Sequence, residues 1–195
     1  MDLVSNDIPF AYRERQLQTI FAPVLNDISD GCFKVELFVS RNDRKPRHID
    51  KELHGWVDYW CGYRNTDIFI ELKHGFVNEQ TGRVRKEVQS KWNEALNQIS
   101  TIKKDVKDYS IIGTNDPLRI ALIILPIYKT IKDGEVEKYA SNEMLTKIQI
   151  DVMKHLTPSP TCSSLWILHE DLENRMEYIK STESYSGVLF MAYVE

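Results

Sequence analysis

Two acids and a lysine fall within a short stretch of the chain: Asp58, Glu71 and Lys73. Asp58 belongs to Gly55-Trp56-Val57-Asp58-Tyr59-Trp60, and the other two to Asp67-Ile68-Phe69-Ile70-Glu71-Leu72-Lys73. Two carboxylates facing each other repel unless a positive charge sits between them. A hard divalent cation such as Mg²⁺, with Mn²⁺ as a substitute, takes oxygen ligands and keeps positions open for water and phosphate. So held, it lowers the pKa of bound water and neutralises charge building on a phosphodiester. A neighbouring ammonium can orient that water or stabilise the transition state. These residue types are the parts of metal-assisted phosphodiester hydrolysis.

Their usefulness depends on the elements that carry them. Both segments read as strands, joined by the short polar link Gly62-Tyr63-Arg64-Asn65, which points to an antiparallel hairpin. In a strand, residues two apart share a face, so Glu71 and Lys73 point one way and Ile70 and Leu72 the other. A turn centred on Arg64-Asn65 sets Asp58 opposite Glu71, with Cβ atoms about 5 Å apart. Trp56, Val57, Trp60, Ile68, Phe69 and Ile70 imply a hairpin covered on both sides. Charges are seldom placed there without a purpose. The plainer alternative is a solvated strand face with an ordinary ion pair, since Glu-x-Lys is a common triplet.

Around the hairpin, Asp7-Ile8-Pro9 can open a helix on which Phe10, Leu17, Phe21, Val24 and Ile28 recur at helical spacing. Pro23 is expected to kink or split it. Phe33, Val35, Leu37 and Val39 alternate as a half-buried strand. His74 to Arg85 reads as a projecting loop or ribbon. A long helix follows, with Val88, Trp92, Ala95, Leu96, Ile99, Ile102 and Val106 on one face. Arg119 to Tyr128 is a nearly continuous apolar strand, and Ser141 or Asn142 can cap a helix carrying Leu145, Ile148, Val152 and Leu156. Ser164 to His169 and Gly187 to Val194 are further strands, with room for a short helix between them. The order α-β-β-β-α-β-α-β-β gives an α/β or α+β fold, with a central mixed β-sheet flanked by helices.

At Asp58 and Glu71-Leu72-Lys73 the sequence resembles the restriction-endonuclease-like superfamily of PD-(D/E)xK nucleases. Asp58 matches the first acid and Glu71-Leu72-Lys73 the E-x-K; Val57 stands where the motif has proline, and 13 positions separate the two acids. The pattern covers roughly Phe10 to Tyr128. The resemblance implies a Mg²⁺-dependent nuclease with a restriction-endonuclease-like α-β-β-β-α-β core, acting on DNA, with RNA not excluded. It implies that Asp58, Glu71 and the backbone carbonyl of Leu72 hold the metal and that Lys73 activates or positions the attacking water. Glu14 stands where the family commonly has an acid on the helix before the meander. Gln98 or Lys91 stands where it has a glutamine or lysine on the following helix. From spacing alone Glu14 is not singled out, because Arg13 flanks the same apolar stripe on its other edge.

Arg83, Arg85 and Lys86 after the projecting loop, with Lys91 on the helix that follows, and Arg41, Arg44, Lys45 and Arg47 before the hairpin, could contact phosphates beside the site, or simply be solvated. His48, His54 and His74 have neither a nucleophile partner nor metal spacing, and structural or surface roles are expected. The Trp and Tyr residues at 56, 59, 60 and 63 are expected to pack the hairpin rather than to stack bases. No glycine-rich phosphate loop or Gly-x-Ser-x-Gly elbow is present.

The 195 residues suggest one domain, of which 42% are hydrophobic and 28% charged. Disorder, collagen-like repeats and a disulfide scaffold are excluded. With 25 basic against 29 acidic residues the net charge is −4, so nucleic-acid binding must come from a local basic patch or a bridging metal. Cys32, Cys61 and Cys162 are odd in number and widely spaced, which suits a reducing compartment and offers no zinc framework. No signal peptide or membrane span is expected, and the chain reads as cytoplasmic. Any sequence specificity would come from loops, a homodimer or a partner subunit. A different class of function, a non-cleaving binding or assembly module built on the same fold, stays open beside the nuclease.

Overall fold

The computed structural model describes residues 9–11, 14–29, 32–41, 53–102, 116–132, 139–168, 175–178 and 181–195. Two 3-10 turns, Pro9–Ala11 and Glu14–Leu17, lead into helix α1 (Gln18–Ile28). Strands β1 (Phe33–Arg41), β2 (Leu53–Tyr63) and β3 (Thr66–His74) follow, then the two-residue β4 (Val77–Asn78) and helix α2 (Lys86–Thr101). Next come β5 (Leu118–Ile131), α3 (Asn142–His155), β6 (Cys162–Ile167), β7 (Arg175–Tyr178) and β8 (Ser181–Val194). The strands form an eight-stranded mixed sheet in the order β1-β2-β3-β5-β8-β6, with β4 alongside β5 and β7 alongside β8. This is the helix-flanked mixed sheet expected from the sequence.

The β1-β2-β3 meander is antiparallel, whereas β3 and β5 run parallel. Parallel neighbours need a crossover, and α2 lies within it. The β2-β3 turn is set locally: Arg64 and Asn65 both have positive φ, 45° and 61°. That is the geometry of a two-residue type I′ hairpin, which matches the twist of its strands. With Tyr63 paired to Thr66, the ladder runs back through Trp60↔Phe69 to Tyr59↔Ile70. The ladder ends there, one step short of the Asp58–Glu71 pair that the sequence predicts.

The sheet is covered on both faces. Ala121, Ile123, Leu125 and Ile127 of β5 pack with Val88, Trp92, Ala95 and Ile99 of α2 and with Leu145, Ile148 and Val152 of α3. On the opposite face Ile124 joins Tyr59, Ile70 and Leu72 against Phe10, Leu17 and Leu25. Burying each such aliphatic side chain contributes roughly 1.5–3 kcal/mol. Ser141 caps α3, its Oγ accepting from Met144 N at 3.2 Å.

Several expectations are corrected. The first helix does not begin at Phe10: the chain enters through the two 3-10 turns, and α1 runs unbroken through Pro23. Three residues per turn instead of 3.6 rotates the apolar stripe, so Val24 and Ile28 are exposed while Leu17 and Leu25 are buried. The stretch after His74 does not project. Val77 and Asn78 pair with Ile127 and Tyr128, and Asn78 Oδ1 accepts from the amides of Gln80 and Thr81 to close a tight turn. Between β6 and β8 the described residues form strand β7, not a helix. Val106 lies outside the described residues. Among the described residues no helix is long and apolar enough to cross a membrane.

Candidate active site

Glu71 and Lys73 alternate with Ile70 and Leu72 along β3, which puts the charged pair on the α2 side and the apolar pair on the α1 side. Both charges are deep, Glu71 being 1% and Lys73 8% exposed. Beyond Tyr59↔Ile70 no further β2-β3 pair forms, and a side chain takes the place of the ladder: Leu72 N donates to Asp58 Oδ2 at 2.7 Å. Asp58 thus bridges the point where the two strands part, and fixes the backbone between Glu71 and Lys73.

Burial is the largest influence on Glu71, and the charge of Asp58 adds to it. Together they raise its pKa to about 7 against the opposing pull of Arg41 and Lys73. Lys73 Nζ lies 3.7 Å from Glu14 Oε1 and 3.8 Å from Glu94 Oε1, so the ammonium is held between two carboxylates from different elements. Glu14, on the 3-10 turn before α1, is half-buried. Burial raises its pKa, partly offset by Lys73, with Asp58 and Glu94 adding to the rise. The positions chosen from sequence, Asp58, Glu71, Lys73 and Glu14, therefore meet in one cluster.

Helix α2 presents a polar face to that cluster, at positions spaced three or four apart. Lys91 Nζ donates to His74 O at 2.9 Å and pairs with Glu87 at 2.9 Å. Glu94 reaches Lys73. Gln98 offers its backbone carbonyl to Arg41 Nη1 at 2.6 Å, while its side-chain Oε1 is buried with no hydrogen-bond partner among the described residues. Gln98 thus adjoins the site, and Lys91 spends its charge on the β3 end and on its own helix.

Arg41 closes the cluster from β1. Nη2 donates to Glu71 Oε1 at 2.6 Å and to the Trp56 carbonyl, and Nη1 also reaches Thr101 Oγ1 at 3.1 Å. The side chain lies across Gly55, where a Cβ would collide with Arg41 Nε and Cδ. The sequence groups Arg41 with a loop cluster, yet it is the last residue of β1 and the counter-ion of Glu71. Arg44, Lys45 and Arg47 lie outside the described residues. Glu94 escapes notice in the sequence altogether. Its only signal is position, three residues after Lys91 and four before Gln98 on the same helix face.

The remaining candidates sit apart. Arg83, Arg85 and Lys86 are exposed at the start of α2, and Arg85 Nη2 donates to Tyr128 OH at 2.6 Å. His74 is buried, with Nε2 2.7 Å from Phe10 O; burial depresses its pKa, and it anchors the first 3-10 turn. His48 and the side chain of His54 lie outside the described residues. Tyr59 and Trp60 are buried as expected, but Trp56 and Tyr63 are exposed, which corrects the expectation of packing for those two. Position explains the difference: among the described residues Trp56 pairs only with Phe38 of the outermost strand β1, and Tyr63 sits beside the β2-β3 turn. Beside the cluster opens a cleft of about 640 Å³, lined in part by Arg41, Trp56, Glu94 and Gln98. Among the described residues no three His, Cys, Asp or Glu side chains are grouped to hold a metal ion.

No family model, curated protein or solved structure matches the chain.

Proposed function

We propose that this chain is a metal-dependent nuclease of the PD-(D/E)xK type that hydrolyses phosphodiester bonds, with DNA as the expected substrate. One observation carries the reading: Asp58 Oδ2 accepts from Leu72 N at the parting of β2 and β3, with buried Glu71 and Lys73 on either side of that amide. The order α1-β1-β2-β3-α2-β5, interrupted by the two-residue β4 before α2, supports it as well.

The residues fit a Mg²⁺ ion. Leu72 directs its N–H to Asp58, and the C=O of a strand residue points to the same neighbour as its N–H. Two carboxylates and one carbonyl suit a cation that keeps several waters rather than needing a cage of protein ligands. Burial first, and then the charge of Asp58, raises the pKa of Glu71, and a cation between the two carboxylates would oppose both influences. Asp58, Glu71 and the Leu72 carbonyl would hold the ion, which would supply an activated water and charge neutralisation at the phosphate.

The chain's own groups do the rest. Lys73, held between Glu14 and Glu94, donates a hydrogen bond to the attacking water or to charge growing on the phosphate oxygens. Glu14 and Glu94 position that ammonium. Gln98 brings to the edge of the site a buried carboxamide oxygen that has no partner among the described residues. The test is cleavage of supercoiled and linear DNA in Mg²⁺ or Mn²⁺ against EDTA, with wild type, Glu71→Ala and Lys73→Ala. Nicking that needs metal and falls about 100-fold or more in both variants sustains the reading; activity unchanged in the variants overturns the assignment of these residues.

A second reading rests on Arg41. Its guanidinium already compensates Glu71 at 2.6 Å, as suits a non-cleaving binding or assembly module. Nucleic-acid binding without turnover, insensitive to Lys73→Ala, would favour that module.

A further inference from the structure

The cleft beside the cluster offers features that holding a phosphate does not require. Trp56 lines it and is 61% exposed, although tryptophan is highly buried on average. The indole is not loose: Phe38 of β1, itself 42% exposed, meets it edge-on with ring centroids 5.2 Å apart. Its backbone carbonyl accepts from Arg41 Nη2, the same nitrogen that donates to Glu71. The aromatic residue and the candidate catalytic acid are therefore tied to each other through one guanidinium.

The other wall comes from α2, where Ser90, Asn97 and Gln98 line the cleft with a hydroxyl and two carboxamides. Of its two charges, Arg41 is engaged by Glu71 at 2.6 Å, whereas Glu94 reaches Lys73 only at 3.8 Å and its side chain is 58% exposed. The cleft is thus lined by neutral hydrogen-bonding groups and the carboxylate of Glu94 beside an exposed indole, and its volume of about 640 Å³ is in the range that holds a ligand of nucleotide size. A phosphate would seek cations. A flat heterocycle with donors and acceptors around its rim finds here both an aromatic surface and amide partners.

We infer that this cleft takes an unpaired nucleobase stacked on Trp56, so that the substrate is single-stranded at the nucleotide beside the bond to be cut. A base inside a duplex is already stacked on both faces and paired along its edge, and cannot enter. The inference deepens the nuclease reading and rests on it.

Binding without cleavage tests it, in a Lys73→Ala background with Mg²⁺ present, by fluorescence anisotropy of a labelled short single strand and of its blunt duplex. The single strand is expected to bind more tightly than the duplex. Adding Trp56→Ala should weaken single-strand binding about tenfold or more while changing duplex binding much less. Trp56→Phe, which keeps an aromatic face at the same place, should restore most of the loss and excludes a folding defect as its cause. If the duplex binds as well as the single strand and Trp56→Ala changes neither, this inference fails and the nuclease reading stands. If no nucleic acid binds, both fail.

Discussion

Arg41 Nη2 donates to Glu71 Oε1 at 2.6 Å, joining the end of the outermost strand to a buried carboxylate 30 positions later. The contact opposes the rise in the Glu71 pKa that burial and Asp58 produce. Removing it in Arg41→Ala leaves those two influences opposed by Lys73 alone, so Glu71 keeps its proton to higher pH. The acid limb of the pH–rate profile should move upward, with Arg41→Lys between wild type and Arg41→Ala. A profile that does not move in Arg41→Ala would show that Glu71 is not the group whose ionisation limits the reaction.

The same carboxylate makes stability depend on pH. Glu71 has a pKa near 4.5 when unfolded and about 7 when folded, so the native state binds the proton more tightly. Its contribution is fully present below about 4.5 and is lost as pH rises through 7, amounting to roughly 3 kcal/mol at most. Glu14 is shifted in the same direction and adds to the trend. Denaturant midpoints measured without divalent ions should fall from pH 5 to pH 8 in wild type and be flatter in Glu71→Gln. Equal slopes in the two proteins would refute a buried, proton-holding Glu71.

What the sequence made legible here was local. The Arg64-Asn65 turn dictates the hairpin register, and the period of two along β3 then places Glu71 and Lys73 on one face. These relations need only neighbouring residues. The roles of Arg41 and Glu94 come instead from how β1 and α2 pack on the finished sheet, which no short-range pattern encodes. The 3-10 turns before α1 show the same limit: one change of helical pitch altered which side of the helix is buried. Trp56 looked like core because aromatic residues in strands usually are, and only its place near the sheet edge leaves it exposed.

Gly55 gives Arg41 its path. A Cβ there would strike Nε and Cδ of a side chain pinned at Glu71, Gln98, Thr101 and Trp56, so the arginine cannot simply swing aside. Gly55→Ala should destabilise by about 1–3 kcal/mol, as overpacking does, and should reproduce the pH shift of Arg41→Ala. In an Arg41→Ala background the clash has no partner, so Gly55→Ala should then be nearly silent. Additive effects in this double-mutant cycle would mean that the glycine matters for the strand and not for the arginine.

A divalent cation should reverse the penalty on Glu71. An ion that binds only the native state at 100 times its dissociation constant adds about 2.7 kcal/mol of stability. For a domain of this size that is roughly 5–10 °C in melting temperature. Thermal unfolding in Mg²⁺ or Mn²⁺ should show a rise that grows from pH 6 to pH 8, because the ion competes with the proton for Glu71. Asp58→Asn and Glu71→Gln should each lose most of it, and Glu71→Gln should lose its pH dependence as well. Arg41→Ala should strengthen the effect, since the guanidinium and the ion both seek Glu71 Oε1. If Glu71→Gln responds to the ion as wild type does, the cation binds elsewhere, and Arg41 and Lys73 are the counter-charges that this carboxylate requires.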